Sequence, residues 1–346
     1  MIQANANRVK RRWWPWIGAG IGFGLVALVF WRIDFAQLGQ VLAGARVEYL
    51  ALVPAVIALE QLVRAWKWRQ ILHPLRPVGT LRLFGAIMAG FLGNFLIPVG
   101  VSPLLRSWLV ARRESLKMSA VLATVAIDRM IDGVVFAILV ALVLALAVVP
   151  DPTGNLRLGL LAGAAVGFTL FAGLLWLLAR QKRALTGTAG WVRWVLSRLP
   201  TRLAQGSQRL LASFAEGIVW PVDAWRRVAI VLSSVLIKFI AATHLLWAGL
   251  AFGVLLGPLD YLVVLAMLGF LVFLTHLARF PAGFTVGAIF ALDLFGIGEE
   301  RALAMVLTMQ IGSMMSVAAF GAFALWRNGL ALADLPGRRE HLHERN

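Results

Sequence analysis

Six apolar segments of this chain have, or nearly have, the length of membrane-spanning helices, and they restrict the fold more than any other feature does. A helix rises about 1.5 Å per residue, so a hydrocarbon core of about 30 Å needs about 20 residues. The second segment is short, and a tryptophan-bearing stretch extends it. With 60% hydrophobic and 14% charged residues, the chain is not a water-soluble globule. The segments are 13–31, 50–62, 120–149, 158–179, 228–256 and 302–326.

Two further apolar stretches are each broken by a Pro-x-Gly sequence. Proline removes a helical donor and glycine frees the backbone, as expected where a helix stops inside a membrane protein and turns back. We therefore predict two re-entrant helical hairpins, over 81–112 and 260–298. Ordinary spanning helices that are kinked at Pro-x-Gly are the alternative. The residues at the predicted tips are Pro98, Gly100, Pro281 and Gly283.

The basic residues carry a signal for membrane topology. Lys and Arg number 33 against 16 acidic residues, and most of them fall in segments that we predict to be cytoplasmic. Both flanks of the first hairpin are basic, whereas acidic loops flank the second, so the hairpins open to opposite sides. Because no base-reading motif accompanies the charge, we exclude nucleic acid and predict a surface for anionic lipid. The predicted cytoplasmic segments are 1–13, 64–82, 106–117, 180–227 and 327–346.

These features predict an all-α polytopic membrane protein with about six spanning helices and two opposed re-entrant hairpins, related as in an inverted repeat. Residues 1–179 form the N-terminal membrane half and residues 228–327 the C-terminal half. Between them, basic and apolar residues alternate at helical spacing over 180–227, which predicts an amphipathic cytoplasmic linker. Residues 328–346 form a polar cytoplasmic tail. Segment 13–31 follows basic residues without a cleavage site, so we interpret it as a retained signal anchor in a bacterial inner membrane.

Charged residues inside the apolar segments are the best pointers to function, since each costs at least about 2.5–3.5 kcal/mol at the bilayer centre. Asp128 and Asp132 share one helix face, with Arg129 beside them, and Lys238 lies within another segment. Two interpretations stay open. The charges form a closed network that joins helices, with Lys238 as a counter-ion for Asp132, or they line a polar cavity in which an acid loads a proton or cation.

Two arginines beside the predicted tips are candidates for binding a lipid headgroup, because a guanidinium fork suits bidentate binding of phosphate. For Arg106 the alternative is extension to the membrane surface, and for Arg279 it is a carboxylate partner, with Asp293 or Glu60 as candidates. We also assign Asn94 and Arg64 to substrate binding. An amide such as Asn94 is also a common tie between helices.

Three motifs occur in order along the first half of the chain. They are Arg64-Ala-Trp-Lys-Trp-Arg69-Gln-Ile-Leu72, Asn94-Phe-Leu-Ile-Pro98 with Arg106 downstream, and Ala123-Thr124 followed by Asp128-Arg129-Met-Ile-Asp132. This order resembles the lysylphosphatidylglycerol synthase transmembrane family, also called flippase-like, over about residues 14–327. The resemblance implies translocation of a lipid with a polar head, and other relatives are associated with polyisoprenyl-linked or hopanoid lipids.

The chain also departs from the family pattern. A basic residue and a Gly-Glu pair that commonly follow the first proline are replaced by Gly100, Ser102 and Pro103, and Ala288 stands where the second hairpin usually carries a glutamate. Only a short polar stretch follows Trp326, so we expect no aminoacyl-transfer domain and no synthesis of lysyl-lipid.

We predict a lipid translocase that moves a lipid with an anionic or polar head between leaflets. The chain has no cysteine and its histidines are scattered, so we expect no metal site and no cofactor. The expected partners are membrane lipids, and a homo-oligomer stays open. The alternatives are a membrane-embedded lipid-modifying transferase, whose paired aspartates would bind a divalent ion, and a non-catalytic membrane scaffold.

Overall fold

The computed structural model describes residues 33–96, 101–151, 154–180, 210, 212–277 and 283–327. Several predictions fall outside the described residues: the first spanning segment, most of the linker, the polar tail, Arg279, and the tip residues Pro98, Gly100 and Pro281. The fourth tip residue, Gly283, begins a helix.

All regular structure in the described ranges is helical. This confirms the predicted all-α class. In chain order the helices are α1 (Phe35–Ala43), α2 (Val47–Leu72), α3 (Thr80–Leu96), α4 (Ser102–Glu114), α5 (Met118–Leu146), α6 (Leu156–Arg180), α7 (Ala224–Ala251), α8 (Pro258–Leu277), α9 (Gly283–Asp293) and α10 (Glu299–Arg327).

Five of these helices, α2, α5, α6, α7 and α10, are long and apolar enough to cross a membrane. They contain 25 to 29 residues, which at about 1.5 Å per residue exceeds the thickness of the hydrocarbon core. They correspond to the last five of the six predicted segments. The chain is therefore a multi-pass membrane protein.

Helix α2 includes the tryptophan-bearing stretch that the sequence predicts as an extension of the second apolar segment. The apolar run ends at Leu62, and we expected Arg64 and Lys67 in a cytoplasmic flank, but the helix continues to Leu72 and both side chains are buried. Acidic side chains on α5 compensate the charges of these two residues, as described below. The cytoplasmic assignment of segment 64–82 stays a prediction.

The chain divides into two compact units by its internal contacts. The first unit takes its described residues from 1–54, 140–164 and 241–312, and the second from 55–139, 165–240 and 313–346. Each of the five long helices contributes residues to both units.

In the first unit, the short helix α9 packs against α8. A Cβ added to Gly287 would lie 3.0 Å from Leu271 Cδ1, so glycine permits this close approach. Gln310 on α10 donates a hydrogen bond of 2.9 Å to Thr285 on α9. At 11 residues, α9 is too short to cross a bilayer, as predicted for one arm of a hairpin.

In the second unit, α3 and α4 form a packed pair of 17 and 13 residues, each shorter than a bilayer requires. A Cβ on Gly90 would lie 3.0 Å from the carbonyl oxygen of Ser102, so glycine at this position permits the close approach of α4 to α3. The Asn94 side-chain oxygen accepts a hydrogen bond of 2.8 Å from the Ser102 backbone N–H, which satisfies one of the free donors at the start of α4. The lengths suit a re-entrant hairpin, which stays a prediction.

The core of the second unit joins α2, α3, α4 and α5. On the other side of α3, α10 packs closely, since a Cβ on Gly321 would lie 2.9 Å from the carbonyl oxygen of Met88. Phe84 and Phe320 meet edge to face with ring centroids 5.4 Å apart. The largest buried apolar side chains of this core are Trp68, Ile71, Leu72, Leu83, Ile87, Ile127 and Ile218.

Candidate functional site

A network of buried ion pairs joins α2 to α5 within the second unit. Lys67 Nζ lies 2.7 Å from Asp128 Oδ1 and also donates to Asp132 Oδ1. Arg64 donates to Asp132 Oδ2 at 3.1 Å and to Glu60 Oε1 at 2.7 Å. The side chains of Lys67 and Asp128 are 0% exposed. The partners of Asp132 are therefore basic residues of α2.

Helical periodicity explains why these residues meet. Glu60, Arg64 and Lys67 lie four and then three positions apart, which places them on one face of α2. Asp128 and Asp132 are four apart and lie on one face of α5. Buried ions persist when each has a partner, and the two faces supply acids and bases to each other.

Arg106 reaches the same network from α4. Its guanidinium lies 5.0 Å from the ring centroid of Trp68, and its Nη2 atom is 3.8 Å from Asp128 Oδ2. The residue is 1% exposed, and none of its three guanidinium nitrogens has a hydrogen-bond partner among the described residues. Trp68 is held by a hydrogen bond of 3.0 Å from its Nε1 atom to Thr124 Oγ1. Thus a cation with unused donors lies inside the unit.

Arg129 and Lys238 lie at the margin of the network. Arg129 is exposed although its neighbour Asp128 is buried, and Lys238 Nζ lies 5.1 Å from the ring centroid of Phe136. Neither forms an ion pair with a carboxylate of the described ranges. The predicted pairing of Lys238 with Asp132 is not found, because Lys67 and Arg64 occupy the Asp132 carboxylate.

Basic side chains outnumber acidic ones in and around this network. The arrangement carries more positive than negative charge when all its members are ionised, so it favours an anionic ligand over a cation. The acidic members are Glu60, Asp128 and Asp132, and the basic members are Arg64, Lys67, Arg106, Arg129 and Lys238.

A small cavity of about 300 Å³ with a mixed polar and apolar lining also lies in the second unit. Its polar lining comes from Gln61, Asn94 and Ser313, and the Gln61 side-chain oxygen is buried without a hydrogen-bond partner in the described part of the chain. Since Asn94 uses its oxygen to hold the start of α4, the residue has a structural role in addition to the predicted contact with substrate.

The structure brings together Glu60, Arg64, Arg106, Asp128 and Asp132, all of which the sequence singles out. The sequence interpretation missed Lys67, Trp68 and Gln61. The spacing of Lys67 from Glu60 and Arg64 was a usable signal, whereas nothing in the sequence relates Trp68 to Arg106.

The comparisons with known proteins agree with the motifs. A family model described as the lysylphosphatidylglycerol synthase TM region matches residues 16–326. No curated protein and no solved structure matches the chain. The matched range contains the five long apolar helices almost entirely, together with every residue of the ion-pair network. The chain therefore belongs to the family of the lysylphosphatidylglycerol synthase TM region.

Proposed function

We propose that this protein translocates a lipid with an anionic or polar head between the leaflets of a bacterial inner membrane, with both termini in the cytoplasm. A phospholipid and a polyisoprenyl or hopanoid lipid are the candidate classes of substrate. Family membership supports this function, and Arg106 is the observation that carries it.

The unused donors of Arg106 favour a ligand. A buried polar group without a hydrogen bond costs about 1–3 kcal/mol, and more if it is charged. A network that served only to join helices would gain by satisfying every donor, yet the acids pair with Lys67 and Arg64 while Arg106 keeps only a distant carboxylate. The oxygens of a phosphate would supply the missing acceptors in bidentate geometry.

The position of Arg106 links ligand binding to the contact between α4 and α5 in this proposal. It lies on α4, one arm of the predicted first hairpin, whereas its neighbours Trp68 and Asp128 lie on spanning helices. A headgroup at Arg106 would compete with Asp128 for the guanidinium and so alter the contact between α4 and α5.

The test is a flipping assay in vesicles. The native chain is reconstituted with fluorescent phosphatidylglycerol, phosphatidylethanolamine or a polyisoprenyl phosphate, and inner-leaflet probe is measured by its protection from dithionite. Removing a hydrogen bond to a charged group costs about 1.5–3 kcal/mol, so Arg106→Gln should slow flipping about 10-fold to 150-fold.

Arg112→Gln is a matched control, because Arg112 lies on the same helix and over the ring of Trp108 at 5.3 Å but is exposed. It should flip lipid at the native rate. Two outcomes would contradict the proposal. In one, the native protein moves none of the probes faster than they move in protein-free vesicles. In the other, the Arg106→Gln variant flips lipid as fast as the native protein.

Two alternatives give different results in the same vesicles. A lipid-modifying transferase would form a new lipid product, and chelation of divalent ions would abolish it. A scaffold would be insensitive to Arg106→Gln both in the vesicles and in the cell.

A further inference from the structure

A groove of about 530 Å³ lies between α3, α4 and α10 in the second unit, away from the ion-pair network. Three arginines line it, namely Arg82, Arg113 and Arg327. The other lining residues are apolar and include Phe84, Phe320 and Phe323. The groove thus combines a basic portion with an apolar portion.

Helix positions separate the two portions. Arg82 lies in the first turn of α3, Arg113 in the last turn of α4, and Arg327 is the last residue of α10. The aromatic residues lie further along the same helices. Helix α10 is long enough to span a membrane, and the end of a spanning helix lies near the headgroups, so we place the basic portion at headgroup level and the apolar portion at the level of the acyl chains.

The charge at the basic end is positive on balance. Arg82 Nη1 lies 3.3 Å from Glu114 Oε1, and Arg76 Nε lies 3.9 Å from the other oxygen of the same carboxylate. Glu114 therefore faces two arginines at once, while Arg113 and Arg327 add further positive charge. Basic pockets between helices on the cytoplasmic side are typical sites for anionic lipid headgroups.

A second groove in the same unit provides a contrast. It measures about 670 Å³, lies between α2, α3 and α7, and is lined by residues such as Trp66, Trp225 and Leu232 with no charged side chain. Lipid chains cover such a surface without selecting a headgroup. What distinguishes the first groove is the meeting of three arginines at one end.

We propose that the groove formed by α3, α4 and α10 binds one anionic phospholipid of the surrounding leaflet, with the phosphate at the arginines and an acyl chain beside Phe84, Phe320 and Phe323. This lipid would stay bound to the lipid-facing surface of the protein, and its site is separate from Arg106. The proposal therefore does not depend on translocation.

The test is native mass spectrometry of the full chain in detergent, titrated with phosphatidylglycerol or with phosphatidylcholine of identical acyl chains. An arginine near the anionic headgroup contributes about fivefold to binding, so Arg113→Gln combined with Arg327→Gln should lower phosphatidylglycerol retention about 25-fold. Phosphatidylcholine retention should be weak in the native protein and unchanged in the variant.

Two further variants make the result decisive. Arg69→Gln removes an exposed arginine near the end of α2 that lies outside the groove, and it should bind phosphatidylglycerol as the native chain does. Arg113→Lys with Arg327→Lys keeps the charge and should retain the preference, which separates loss of charge from loss of folding. Equal retention of both lipids by the native chain, or equal losses in Arg69→Gln and the double glutamine variant, would mean annular lipid only and would overturn the proposal.

The assay also separates this site from the proposed function. An Arg106→Gln variant should retain phosphatidylglycerol in the groove even where it no longer flips lipid. Loss of retention in Arg106→Gln alone, with retention intact in the groove variants, would assign the bound lipid to Arg106 and refute the groove site.

Discussion

Lys67 is the central residue of the buried network, because among the described residues it alone forms ion pairs with both aspartates of α5. Its side chain is fully buried, as is that of Asp128. Buried ion pairs add little net stability compared with apolar packing, yet removing one partner leaves an uncompensated charge and is strongly destabilising. Lys67 thereby makes the pair of aspartates compatible with an apolar segment.

Replacing Lys67 with methionine should therefore destabilise the protein severely. The change keeps the length of the side chain but leaves Asp128 without its close cation, and the expected loss in the free energy of unfolding is about 3–5 kcal/mol. The measurement is reversible unfolding in mixed dodecyl maltoside and SDS micelles, followed by tryptophan fluorescence.

Lys117→Met is the matched control, since Lys117 pairs with Glu216 at 2.8 Å but both side chains are more than half exposed. An exposed pair contributes about 0–1 kcal/mol, so this variant should unfold almost as the native chain does. Adding Asp128→Asn to Lys67→Met should recover part of the loss. Equal effects of the two lysine substitutions would show that the buried pairs do not stabilise the fold.

At the scale of the elements, the position of α4 depends on its close packing against α3. Gly90 on α3 allows α4 to approach so closely that an added Cβ would lie 3.3 Å from Arg106 Cβ and 3.0 Å from the Ser102 carbonyl oxygen. The same contact positions Arg106 over Trp68. The packing of two short helices thus decides where the guanidinium lies.

Substituting Gly90 with alanine should displace α4 and destabilise the pair. The atoms that the added Cβ would meet include a backbone oxygen, which cannot give way as the end of a side chain does, and overpacking of this kind costs about 1–3 kcal/mol. Gly173→Ala is the control, because Gly173 is also helical but a Cβ there would have nothing within 4 Å. Its thermal unfolding midpoint should stay the same or rise, since alanine favours helix. A Gly90→Ala variant as stable as Gly173→Ala would contradict the close packing.

The elements were largely predictable from the sequence, and the site only in part. Apolar length alone identifies four of the five long helices, since few other structures need so many consecutive apolar residues, and the tryptophan-bearing stretch is needed to extend α2. The apolar run of α2 ends at Leu62, because hydropathy treats Lys67 as a surface residue and does not register a partner 61 positions away at Asp128. Contacts such as that of Arg106 with Trp68 depend on tertiary packing, which one sequence does not encode in any local pattern.

At the scale of the whole molecule, the sidedness of the loops decides whether the inverted-repeat prediction holds. A re-entrant pair of helices returns the chain to the side of the membrane from which it entered. Two full crossings would do the same, but both helices would then have to be long enough to span the bilayer. Helices α4 and α9 are both shorter than a bilayer requires, which favours re-entry. The two predicted hairpins should then leave their flanking loops on opposite sides of the membrane.

Single cysteines test this directly, because the chain has none of its own. Gly79 and Ser115 flank the α3 and α4 pair, and Leu255 and Gly298 flank the α8 and α9 pair; all four positions are exposed. With a membrane-impermeant maleimide, Gly79→Cys and Ser115→Cys should label only from the cytoplasm. Leu255→Cys and Gly298→Cys should label only from outside, since the intervening helices reverse the orientation.

Labelling of all four from one side would overturn the opposed arrangement. If Ser115→Cys alone labels from outside, the first pair crosses the membrane once in total, and Arg106 then lies on a crossing path instead of at a hairpin.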